Sequence, residues 1–209
     1  GPTAPPPPPS TTPTIAADNP FGSGNSYLFN GLSQKIVIDA SSLTLGTDWT
    51  IEWFQKETVP NPFPRPFMTS GGWGVSIENG SGGDPGYFYF WAPPGDILFG
   101  TVNRMNAWHH FAIVRIGSGT YNTKMYIDGV LNSQQTNTTN YSYTGSIPVG
   151  GYAGPSYPFN GYLSNIRVVA GQGVYTGAFT PPTSPLTAVA NTVLLTLQSN
   201  GSHNNSTVR

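Results

Sequence analysis

Asp128-Gly129 is the local signal that most constrains this chain. The dipeptide stands between two apolar-alternating runs, residues 123–127 and 130–133. Both residues tolerate positive φ, which a two-residue type I′ turn requires, so the run reads as a β-hairpin. Period-two alternation recurs on either side. Ile36 and Ile38 mark one strand, and Trp49, Ile51 and Trp53 mark a stronger one. Residues 87–91 are wholly aromatic, a strand covered or functional on both faces. Residues 109–116, 146–150, 161–169 and 192–198 complete the set. In 161–169 the apolar parity changes between Leu163 and Ile166, and a β-bulge near Ser164-Asn165 restores a single buried face. No amphipathic helix of useful length is present, and residues 41–46 read as a turn or short 3₁₀ segment. Many short strands separated by Gly, Pro and Asn predict an all-β fold, a two-sheet antiparallel β-sandwich of jelly-roll type.

The sandwich is expected over residues 20–199. Before it, residues 1–19 carry the unbroken run Pro5 to Pro9 and read as an extended polyproline spacer joining the domain to a larger parent protein. Residues 200–209 form a polar tail. Charged residues make up 8% of the chain and the formal net charge is −1, against roughly 25% charged in an ordinary domain. There is no basic excess for nucleic acid, and no apolar run approaches the roughly 18 residues of a membrane span. The absence of cysteine excludes disulfides, thiolate metal sites and a cysteine nucleophile.

Residues 108–115 (Trp-His-His-Phe-Ala-Ile-Val-Arg), followed by 125–130 (Met-Tyr-Ile-Asp-Gly-Val), resemble the central hairpin of laminin-G-like domains of the concanavalin A-like lectin/glucanase superfamily. Residues 48–54 resemble the strand that precedes it, and 159–167 the closing strand. With 173–176 and 179–182, the pattern is similar to domains of phage and large algal virus virion proteins. The resemblance implies a concanavalin A-like sandwich and a place on a virion surface or outside the cell. Its implications for activity range over lectins, glycosidases, lyases and structural modules.

A glycosidase of this fold carries alternating carboxylates on one strand, the pair placed about 5–10 Å apart. Here Glu52 is followed by Trp53 and Phe54, the nearest acids are Asp48 and Glu57, of which Asp48 could share its strand face, and Glu52 reads instead as an acceptor at the sandwich surface. A polysaccharide lyase, the enzyme reading to prefer over a hydrolase, would use Tyr or His as base. The alginate-lyase motifs of the fold are absent, however, and His109-His110 reads as one ring packed at a sheet end and one solvated. Some relatives bind calcium, but Asp39, Asp48, Asp84, Asp96 and Asp128 are scattered and no metal or cofactor is expected.

Neutral sugar is the ligand best matched to the composition, because its apolar faces stack on aromatic rings and its hydroxyls meet amides and hydroxyls. The segment 60–73, in which prolines alternate with Asn61, Phe63, Arg65 and Phe67, reads as a rigid surface loop. The candidate platform is Arg65, Trp73, Tyr89 and Trp91, with Tyr152, Tyr157 and Tyr162 as a second patch. The expected function is a non-catalytic carbohydrate-recognition module of a virus or phage surface protein that binds host cell-surface glycan. A wall-degrading enzyme and a structural virion domain are the alternatives.

Overall fold

The computed structural model describes residues 10–61, 64–69, 73–78, 86–91, 97–102, 105–152, 156–200 and 207–208. Among them are fifteen strands and no helix. They form two antiparallel sheets, as expected for a jelly-roll sandwich. The larger sheet runs in the order β1 (Thr14–Ala16), β2 (Ser26–Asn30), β13 (Asn160–Ala170), β4 (Trp49–Glu57), β9 (His109–Arg115), β10 (Thr123–Ile127) and β11 (Val130–Gln135). The smaller runs β3 (Ile36–Thr44), β12 (Ser142–Val149), β5 (Phe67–Met68), β6 (Gly74–Glu78), β7 (Gly86–Trp91) and β8 (Ile97–Val102). β14 (Thr192–Thr196) joins the large sheet along the second half of β13, and β15 (Thr207–Val208) adds to β14.

The hairpin at Asp128-Gly129 forms with φ of 51° and 78° at the two residues. The bulge forms too. The register of β13 on β4 slips between Ser164 and Arg167, with Asn165 at φ 50°. Leu163, Ile166 and Val168 all reach the core as a result, while Arg167 turns to the outer face beside Glu52. Residues 41–44 do not turn. They continue β3, and the mismatch is absorbed as a register slip against β12 between Tyr143 and Gly145. Thr14–Ala16 lies within the span read as linker and Thr207–Val208 within the span read as tail; each contributes an edge strand.

Between the sheets, Trp53 stacks on Phe111 at 5.1 Å, and Trp49, Trp73, Phe90 and Tyr141 pack around one another at 5.2–6.2 Å. Such ring pairs add about 0.5–1.5 kcal/mol each beyond their buried area. Alternation alone would leave the other face of β4 in water. Thr50, Glu52 and Phe54 are nevertheless buried. The reason is the segment 172–187, which follows β13 and straps across the outer face of the large sheet. Tyr175 and Phe179 cover Ala112, Val114 and Tyr126, and Leu186 covers Phe54 and Leu195.

Candidate functional site

Under this strap the outer face holds a buried ionic network. Glu52, with no exposed surface, accepts from Arg167 Nε at 2.8 Å and Nη2 at 2.5 Å through one oxygen. The other oxygen meets His110 Nε2 at 3.0 Å and the Tyr175 hydroxyl at 2.8 Å. Burial by itself would raise the Glu52 pKa, but His110, Arg167 and Tyr175 outweigh it and hold the carboxyl below its ordinary value. Burial, then the Glu52 charge, pushes the Tyr175 phenol well above its ordinary range. Arg167 is tied further to the Thr187 carbonyl at 2.7 Å, so the network pins the strap to the sheet.

These contacts correct two expectations. Glu52 accepts hydrogen bonds, but in the interior rather than at the surface, and it is not set facing Asp48, whose Oδ1 instead accepts the Gly117 amide at 2.7 Å. Neither ring of the histidine pair is free in solvent. His110 is 1% exposed, and His109 Nδ1 lies 2.6 Å from Asp128 Oδ2. Asp128 also takes the His110 amide at 2.9 Å. Burial opposes ionisation of Asp128, yet His109 and the His110 amide hold its pKa down.

Next to the network lies a cavity of about 400 Å³. The start of β9 supplies His109 and His110, the hairpin turn supplies Asp128, and the strap supplies Thr180, Pro181, Pro182 and Thr183. Trp108 and Phe21, both half-buried, form its aromatic side. Trp108 is fixed by its Nε1 donating to Asp18 Oδ1 at 2.8 Å and by Tyr162 at 6.1 Å. Asp18 also meets Lys56 Nζ at 2.5 Å, and that ammonium sits 5.3 Å over Tyr162. Phe21 packs edge-on against Phe54 at 5.0 Å. His110 lines the cavity too, and its Nδ1 is a buried ring nitrogen without a protein partner. The cavity therefore combines two held rings, two Thr side chains and a carboxylate. Among the described residues no three His, Asp or Glu side chains group as a metal site.

The residues expected from sequence fall elsewhere. Trp73 is 2% exposed and packs on Phe67, Phe90 and Tyr141, so its ring is core and presents no face to a ligand. The segment read as a surface loop thus feeds β5 and the core, with Phe67 fully buried. Arg65 lies 4.8 Å over the ring of Tyr157, and Tyr157 lies 6.4 Å from Tyr152, forming a separate patch. Tyr162 belongs with Trp108 instead. Tyr89 and Trp91 lie in β7, paired with its neighbours on either side in the case of Tyr89, and their side chains fall outside the described residues, as do Asp84 and Asp96. Sequence reading missed Trp108, Phe21, Thr180 and Thr183. Trp108 stood in view, but as part of a structural motif; the strap that completes the cavity carries no periodic signal.

A laminin-G-type family model, described as concanavalin A-like lectin/glucanases superfamily, matches residues 29–172. The chain belongs to the concanavalin A-like lectin/glucanases superfamily. Among solved structures it is similar to a candidate carbohydrate binding protein from Bacteroides ovatus, with TM-score 0.62 and 16% identity, over 81% of this chain and 50% of that one. The binding domain of Paraclostridial Mosquitocidal Protein 1 gives 0.58 and 13%, over 79% and 44%. Tailspike protein 2 of an Escherichia coli O157:H7 bacteriophage gives 0.51 and 12%, over 77% and 25%. The chain spans half or less of the length of these proteins, and likeness at such identity establishes the fold. No curated protein matches the sequence.

Proposed function

We propose that this domain is a non-catalytic carbohydrate-recognition module, carried on a virus or phage surface protein and contacting host cell-surface glycan. The observation that carries the reading is the cavity beside the buried network. Trp108 and Phe21 offer ring faces to the apolar side of a sugar, and Asp128, Thr180 and Thr183 stand ready for its hydroxyls. The groups are held before any ligand arrives, by Asp18, Phe54 and Glu52, which lowers the ordering cost of binding. The carboxylate capable of acid–base work, Glu52, has both oxygens engaged and no access to solvent, which favours binding over hydrolysis. The superfamily, together with neighbours described as a carbohydrate binding protein, the binding domain of a mosquitocidal protein and a tailspike, supports glycan contact and a surface setting. Weak single-site binding would be raised by display of many copies.

The test is retention of the protein on algal and bacterial wall polysaccharides, with released sugar scored in parallel. Retention lost in Trp108→Ala, with no sugar released, is the expected result. Equal retention of Trp108→Ala and wild type would overturn the site, and release of new reducing or unsaturated ends would overturn the non-catalytic reading.

A further inference from the structure

The outer face of the large sheet carries a second cavity, of about 300 Å³, beyond the opposite end of β9. It plays no part in the groove around Trp108. Its walls include Tyr121, Tyr126 and Tyr175, together with Asn122, Lys124 and Thr176. Two features distinguish it. Tyr121 stands at φ 53° with 53% of its surface exposed. A bulky aromatic side chain seldom accepts that backbone conformation, and such positions gather where a side chain must be aimed. The surrounding turn is closed rather than loose. Asn122 Nδ2 donates to the carbonyls of Gly117 at 2.8 Å and Asn137 at 2.7 Å, and the Tyr121 amide donates to Thr136 Oγ1 at 2.9 Å.

The second feature is charge. Lys124 is half-buried, and its ammonium makes no hydrogen bond or ion pair among the described residues. No wall residue is acidic. The Glu52 carboxylate beneath Tyr175 is already offset by Arg167. One unanswered cation beside an exposed ring and a set of amides and hydroxyls matches a ligand with one negative charge, an apolar ring face and several hydroxyls.

We propose that this cavity is a second saccharide subsite, selective for a hexuronate residue whose carboxylate pairs with Lys124 and whose ring lies on Tyr121. The inference rests on the glycan reading and narrows it to acidic polysaccharide. His110 in the first groove and Val114 in the second cavity are four residues apart on β9, about 13 Å along the strand. A single chain of several sugars is long enough to span that distance.

The full chain, ¹⁵N-labelled, is titrated with oligomers of glucuronate, galacturonate, mannuronate and guluronate and with their methyl esters. Amide shifts of Tyr121 and Asn122 report this cavity, and the Trp108 indole reports the groove. The expected result is that at least one acid oligomer moves the Tyr121 and Asn122 amides. Its methyl ester, or the acid with Lys124→Met, binds about fivefold more weakly, the scale of one partly exposed ion pair. The advantage of acid over ester shrinks with added salt. In Trp108→Ala the Tyr121 shifts persist. Acid and ester binding equally, unchanged affinity in a folded Lys124→Met, or shifts confined to the Trp108 groove would overturn the second subsite and leave the first standing. Silence at both reporters across the acids and esters overturns the second subsite, and silence of Trp108 with wall glycan retained would count against the groove alone.

Discussion

Replacing Glu52 by Gln tests the buried network directly, because it keeps the shape and removes the charge. In the wild type Arg167 is 5% exposed and answered by Glu52, and it also donates to the Thr187 carbonyl. Neutralising Glu52 leaves that guanidinium buried without a counter-ion. Breaking one side of a buried pair costs about 3–5 kcal/mol, which in a domain of this size lowers Tm by about 6–20 °C. Calorimetry at pH 7 measures the loss, and Glu52→Gln combined with Arg167→Met should cost clearly less than the sum of the two, since the stranded charge is gone. The pH profile carries the same information. The Glu52 pKa in the fold lies below its ordinary 4.5. Its contribution is therefore complete above about pH 4.5 and fades as pH falls through the folded-state value. The gap between wild type and Glu52→Gln must close in acid. A Glu52→Gln protein within about 0.5 kcal/mol of wild type at pH 7, or a gap that stays constant down to pH 3, would refute this account.

Gly129→Ala should both weaken the fold and lift the strap. A Cβ there would meet the Phe179 carbonyl oxygen at 1.8 Å, at a residue whose φ is 78°. A loss above about 2 kcal/mol with faster proteolytic cleavage inside 172–187 is expected, and cleavage unchanged from wild type would argue against strap contact at the hairpin. Trp73→Ala should cost about 3–5 kcal/mol as a core cavity, while any protein that folds keeps its glycan retention. Loss of retention at full stability would return Trp73 to the binding surface. Arg65→Ala, which removes a partly exposed cation from the Tyr157 ring, should cost under about 1 kcal/mol in chemical denaturation.

Much of the fold was legible in the sequence because its signals are local. The Asp128-Gly129 turn needs two residues that accept positive φ, and both are adjacent in the chain. The change of parity between Leu163 and Ile166 located a bulge that the register of β13 on β4 reproduces. The strands at Trp49 and His109 follow from alternation that any half-buried sheet imposes. Where a local rule met a conflicting neighbour it failed, as at residues 41–44. They begin a stretch read as a turn, and pairing with β12 drew them into β3.

The site was not legible in the same way. Whether an aromatic ring is core or surface depends on which sheet it faces and on what lies over that sheet. Trp73 is core because Tyr141 and Phe90, brought in by other strands, close around it. Trp108 keeps an open face because Asp18 and Tyr162 hold it at the margin of the strap. The sequence by itself determined a sparsely charged β-sandwich with its hairpin and its bulge, through periodicity and turn chemistry. Only the tertiary structure decided that the outer face is roofed by residues 172–187, that Glu52 and Arg167 meet beneath the roof, and that two cavities open at its edges. Those contacts join residues far apart in the chain, and their energy comes from burial and charge pairing that no short stretch of sequence contains.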